Sequence, residues 1–132
     1  MMLGKSAAQM NLQELFEQGL KCLAREDNTG VWSAMAYHYF LAAFDRDKAF
    51  SKSSLYLGLI SIKMGDNKDK LKYLNQCMKQ PKSSRNKEYQ KIAKRLLQIS
   101  NPVQSFSDDD RLCISKICGK LDSLHHKDRN RS

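Results

Sequence analysis

Apolar residues recur at three- and four-residue spacing along most of the chain, and the breaks between these runs fall at capping and turn residues. The first run is Leu12, Leu15, Phe16, Gly19, Leu20 and Leu23. Asn11 and Glu14 stand in front of it as a capping box, two side chains that satisfy free amide donors at a helix start. This helix is expected to end near Glu26, before Asp27, Asn28, Thr29 and Gly30. A second helix is expected from Val31 to Asp45. Its WSAMAYHYFLAAF stretch is apolar around most of its circumference, which predicts burial between neighbours.

A third helix is expected from Phe50 to Met64, with Leu55, Tyr56, Leu59, Ile60 and Ile62 as its apolar side. Gly65, Asp66 and Asn67 then form a tight stop and restart, because glycine suits the left-handed residue after a helix and Asp or Asn caps the next one. The fourth helix runs to about Gln80, with Leu71, Leu74, Cys77 and Met78 expected inward, and Pro81 ends it. Ser83 and Ser84 are expected to cap a fifth helix ending near Ser100, and Asn101-Pro102 breaks the chain. Ser107 with Asp108, Asp109 and Asp110 opens a sixth helix, where caps and acids are both favoured. Leu112, Ile114, Ile117, Cys118, Leu121 and Leu124 follow in it. The chain thus divides into a loose N-terminus over 1–10, one helical domain over 11–125 and a disordered basic tail over 126–132.

Six helices joined alternately by short turns predict an all-α fold of antiparallel pairs stacked as a short α-solenoid. The pairs repeat. Gly19 stands in the first pair where Gly58 stands in the second, 39 positions on. Tyr39, Phe40 and Ala43 stand where Tyr73, Leu74 and Cys77 do. A glycine facing a small residue lets two helices approach closely. The segment LYLGLISIKMGDNKDKLKYLNQCMKQP resembles a tetratricopeptide repeat, and the longer first loop resembles the related Sel-like repeats. Lys70, Ser54 and Ser61 depart from that pattern: a lysine replaces a small residue and serines replace large aromatics. The resemblance covers residues 12–81. It implies a scaffold, co-chaperone or secretion-type chaperone that holds a protein or peptide segment on the face made by the first helix of each pair. Gln18, Lys21, Lys52, Tyr56 and Lys63 are the groove positions it implies.

Charge sharpens this picture. The net charge is +9, and the stretch from Lys63 to Arg95 holds eleven basic residues against Asp66, Asp69 and Glu88. Lys87, Lys91, Lys94 and Arg95 fall at i, i+4, i+7 and i+8, one helical stripe opposite Tyr89, Ile92, Ala93 and Leu96. Lys68, Lys72 and Lys79 add a side of the fourth helix, with Lys82 and Arg85 in the connecting loop. Such a field attracts an acidic partner. The alternative is a nucleic-acid-binding or regulatory module using the Lys63 to Arg95 basic surface, although no recognition helix, RNP aromatics or zinc finger is seen in the sequence.

Catalysis finds little support. No Walker loop, G-x-S-x-G, H-E-x-x-H or Gly-rich nucleotide loop occurs. His38 between two tyrosines is expected to be a packed histidine. Cys113, Cys118, His125 and His126 are conceivable zinc ligands, but five positions along a helix turn the two thiols by about 140° from each other. No cofactor or metal is expected, and Cys22, Cys77, Cys113 and Cys118 are expected as reduced thiols. The first ten residues lack the apolar run of a secretory signal, and no stretch reaches the length of a membrane span. The expected place is therefore the cytoplasm.

Overall fold

The computed structural model describes residues 6–25, 30–99, 102 and 105–130. It holds α1 (Leu12–Ala24), α2 (Val31–Arg46), α3 (Ser51–Met64), α4 (Asn67–Lys79), α5 (Lys87–Leu97) and α6 (Asp108–Asn130), with no strand among the described residues. Asn11 caps α1 as expected: its Oδ1 accepts from the Glu14 amide at 2.8 Å while Glu14 Oε1 accepts from the Asn11 amide at 3.1 Å. Gly65 ends α3 at φ 76°, and Asp66 caps α4 by accepting from the Asp69 amide at 2.9 Å. Ser107 and Asp110 cap α6 reciprocally at 3.1 and 3.3 Å.

The helices stack in sequence, α1 with α2, α2 with α3, α3 with α4 and α4 with α5, while α5 also reaches α3. Aromatic contacts divide them into two layers. Phe16 of α1 meets Phe50 and Tyr56 at ring distances of 6.1 and 5.6 Å, and Phe50 meets Tyr89 of α5 at 5.7 Å. On the other side, the Tyr37 and Tyr73 hydroxyls of α2 and α4 share a hydrogen bond of 2.6 Å. Within the α1 and α5 layer, α3 is central and buried from Ser51 to Ile62, and its Tyr56 also meets Phe40 of α2 at 4.7 Å. Small serines permit this: Ser54 and Ser61 donate back to the Ser51 and Leu57 carbonyls, and Ser51 Oγ donates to the Cys77 carbonyl at 3.0 Å.

Several expectations are corrected. Leu71 is 48% exposed, and Lys70, Tyr73, Leu74 and Cys77 form the buried stripe of α4 instead. The stripe begins at Lys70 because its aliphatic stem can be covered while its ammonium lies over the Phe106 ring, 5.4 Å from the centroid. Leu112 is exposed on α6, and His38 is exposed on α2 rather than packed. Helix α5 starts at Lys87, not at Ser83 or Ser84, because Asn86 is committed elsewhere. Its side chain accepts from the Ser51 amide at 2.8 Å and donates to the Ala49 and Pro81 carbonyls at 2.9 Å each. The turn Ala7–Gln9 precedes α1, and Arg46 of α2 donates to the Ala7 and Ala8 carbonyls, so residues 6–10 are ordered onto the fold. The helix expected to fray after His125 continues to Asn130. Met1–Lys5, Glu26–Thr29, Ser100, Asn101, Val103, Gln104, Arg131 and Ser132 lie outside the described residues.

Candidate interaction surfaces

The sixth helix does not approach α5 as closely as α2 approaches α1 or α4 approaches α3. It runs back antiparallel to α3, along the layer made by α1, α3 and α5. Lys52 at the start of α3 meets His125 and Asp128, while the charges of Asp122 and of Lys63, further along α3, act on Tyr56 and Cys118 respectively. Ile117, Leu121 and His125 recur every four residues and are the buried line of α6. Lys120 ties it to α5 through Glu88 at 3.3 Å. Its backbone does not approach any helix as closely as helices adjacent in sequence approach one another from α1 to α5, and side chains make most of the contact.

Lys52 is the centre of this contact. Its side chain is 1% exposed. The ammonium donates to Asp128 Oδ2 at 2.9 Å and to His125 Nδ1 at 3.1 Å, and lies 4.5 Å from the Phe16 ring centroid. A lysine can only donate, so Nδ1 of His125 is unprotonated here and the imidazole proton sits on Nε2. The Tyr89 hydroxyl also donates to Asp128 Oδ2. Burial lowers the Lys52 pKa, and Asp128 and then Glu17 oppose that shift. The His125 pKa is held down by burial first and by the Lys52 charge second. Beside this cluster an open cavity of about 430 Å³ remains, lined by Leu12, Gln13, Phe16, Phe50, Lys52, Arg85 and Asp128.

The groove residues expected from the sequence therefore separate. Lys52 and Tyr56 are brought together but covered by α6, with Tyr56 only 2% exposed. Gln18 is half-buried, and Lys21 and Lys63 are exposed. Three residues missed in the sequence, His125, Asp128 and Tyr89, complete the cluster. The only signal for the first two was the continuation of the α6 spacing beyond Leu124, through positions taken for a tail.

The basic surface is open. Lys68, Lys72, Lys79, Lys87, Lys91, Lys94 and Arg95 are all exposed. Lys82, Lys87, Lys91 and Lys94 line one open cavity of about 400 Å³ with Met78, Ser83, Ser84 and Gln90. Gln90 is fixed beneath it by donating to the Gln80 and Cys77 carbonyls at 2.9 and 3.3 Å. Several members of the expected patch have partners inside the chain: Lys82 donates to the Met78 carbonyl at 3.5 Å and Lys72 lies over the Tyr73 ring at 5.1 Å. Arg85 makes a two-pronged pair with Asp47 at 2.7 and 3.2 Å, and Lys91 approaches Glu88 at 3.6 Å. Arg85 thus joins the α4–α5 loop to the end of α2 and is less available than the lysines.

The four cysteines are free thiols. Burial pushes Cys77 up to about 11 and raises Cys22 and Cys118. No group of three or more His, Cys, Asp and Glu among the described residues is arranged to hold a metal. No described helix is long and apolar enough to cross a membrane. Neither a family model, nor a curated protein, nor a solved structure matches the chain.

Proposed function

We propose that this chain is a non-catalytic protein-binding adaptor, built on tetratricopeptide-like helix pairs, that recruits an acidic partner through its α4–α5 face. The observation that carries this reading is the ring of Lys82, Lys87, Lys91 and Lys94 around one open cavity, with no carboxylate in its lining. Like charges gathered this closely repel one another, and Glu88 beside Lys91 offsets only one of the four, so the surface favours an acidic partner. The close glycine contacts in the first two pairs support the repeat reading. A scaffold or chaperone role in the cytoplasm, with thiols kept reduced, is the setting we propose for it. Duplex nucleic acid is the second reading, favoured only by the same positive charge.

The test replaces Lys87, Lys91, Lys94 and Arg95 by Glu, with circular dichroism as the folding control. Poly-glutamate and duplex DNA serve as probes at two ionic strengths. The wild type is expected to bind poly-glutamate in a salt-dependent way, and the fourfold variant is expected to lose both binding and salt dependence. Helicity should hold, with each exposed site changing stability by less than about 1 kcal/mol. A folded variant that binds poly-glutamate like the wild type would sink the reading. Tight binding of DNA without binding of poly-glutamate would favour the nucleic-acid alternative.

A further inference from the structure

We propose that the trough formed by α1, α3 and α5 is a helix-binding site whose resident occupant is α6, and that a partner able to replace α6 is an amphipathic helix bearing a carboxylate where Asp128 sits. This rests on the reading of the chain as a protein-binding module, but on a different surface from the lysine cavity.

Lys52 fixes the chemistry of the occupant. A cation removed this far from water needs an anion beside it, since the cost of desolvating it is several kcal/mol. Asp128 of α6 supplies that anion, at 2.9 Å. The rings of Phe16, Tyr56 and Tyr89 surround the ammonium at 4.5, 6.0 and 5.9 Å, so the trough is an aromatic box around one fixed positive charge. An occupant that fills the apolar trough without a carboxylate leaves Lys52 buried without its closest counter-charge and is rejected on that ground.

The way α6 is held makes it replaceable. Only Ile117, Leu121 and His125 are fully buried in it; Cys113, Ile114 and Leu124 pack against the core half-buried, and Leu112 is 56% exposed. Side chains bridge it to the bundle without the close backbone approach of the paired helices. The trough is also only partly filled: an open cavity of about 430 Å³ remains at the Asp128 end, lined by Leu12, Gln13 and Arg85 as well as by the buried Phe16, Phe50 and Lys52. Lys52 is 1% exposed, so an incoming helix reaches it only as the Asp128 end of α6 lifts away.

The full-length chain tests this with a labelled synthetic peptide of residues 108–130, kept reduced. That peptide holds five acids (Asp108, Asp109, Asp110, Asp122, Asp128) and five bases (Arg111, Lys116, Lys120, Lys127, Arg129), so it has no net charge to drive it onto the lysine cavity. Binding is read at high salt, which separates this result from failure or success of the basic-face reading. In the wild type, the tethered α6 competes with the peptide. In the Asp128→Lys variant its hold is broken by like charge, so the variant should bind the peptide about tenfold more tightly or better. A peptide carrying Asp128→Lys should not bind either protein. A peptide that keeps only Ile117, Leu121, Leu124, His125 and Asp128 on an otherwise Ala/Gln helix should bind the variant as the full sequence does. Equal binding of both peptides, or no gain in a folded variant, overturns the proposal.

Hydrogen exchange on the wild type decides the matter even if the variant does not fold. Amides of α6 should exchange through an opening about 100-fold more populated than the one exposing α3. Equal protection of the two helices makes α6 an integral wall and overturns the proposal. A wild-type dimer that trades α6 between copies gives the trough to a second copy and overturns it as well.

Discussion

Gly19 of α1 lies so close to Phe40 of α2 that a Cβ built on it would come within 2.5 Å of the ring, and Gly58 of α3 stands in the same relation to Leu74 of α4, at 2.7 Å. The two contacts are the same packing device used twice. They differ in what would have to yield: a flat ring in the first pair, the end of a leucine in the second. Replacing a helical glycine by alanine gains about 1 kcal/mol of helix propensity, and overpacking costs about 1–3 kcal/mol. Gly19→Ala should therefore be destabilising by about 1–2 kcal/mol and Gly58→Ala close to neutral, while Gly58→Leu loses about 1–3 kcal/mol. Urea denaturation of the three variants checks the order. If Gly19→Ala is more stable than the wild type, the close approach of α1 and α2 is wrong.

Lys52 and Asp128 should respond unequally to mutation. Asp128→Ala leaves a buried ammonium without its anion, although His125 still accepts one hydrogen bond. Because Asp128 is itself 20% exposed, the loss should be about 1–3 kcal/mol rather than the full penalty of a wholly buried pair. Lys52→Met keeps the volume and removes the charge, so it should cost less than Asp128→Ala. Thermal melts of the two variants and their double mutant measure this, and additivity of the two losses would show that the pair is not coupled.

Docking of α6 should weaken in acid. Imidazole ordinarily titrates at 6.5, and His125 is held below that by burial and by Lys52, against the opposing charges of Glu17 and Asp128 and with His126 as a further positive neighbour. The unfolded or undocked chain then binds the proton more readily than the folded one. Stability from neutral His125 is thus present above 6.5 and is lost as pH falls through that value toward the lower folded pKa. Between pH 7.5 and 5.5 the wild type should lose more stability than His125→Gln. Equal losses would remove His125 from the account.

Tyr56 carries a buried hydroxyl that finds no hydrogen-bond partner among the described residues. Its ring packs on Phe40 at 4.7 Å and on Phe16. Tyr56→Phe keeps the rings and removes the unsatisfied group, so stability should stay level or rise by up to about 1–2 kcal/mol. A loss of more than about 1 kcal/mol in chemical denaturation would mean that the hydroxyl is bonded, for example to water.

All six helices and most of their caps were legible along the chain, because caps, turns and apolar spacing are local. Asn11 with Glu14, Gly65 with Asp66 and Ser107 with Asp110 each act within four residues, and each does so in the fold. The correspondence of Gly19 with Gly58 was legible for a related reason: repetition in sequence is repetition in packing. The charge stripe of α5 was legible too, since a fixed helical period decides that Lys87, Lys91, Lys94 and Arg95 share a side.

What only the tertiary structure decided is where the buried charges go. Periodicity put Leu71 inside and left Lys70 and Lys52 to solvent, because a hydrophobicity pattern prices a lysine by its ammonium. Burial of Lys70 needed a stem covered by its neighbours and a ring from Phe106, which lies 36 positions away. Burial of Lys52 needed Asp128 and His125, more than seventy positions away. No local pattern carries such a pairing. For the same reason no local pattern brought α6 to Lys52 of α3 as well as to Glu88 of α5. Local spacing determines which residues share a helix face; which face meets which is fixed by the few long-range contacts that neutralise a buried charge.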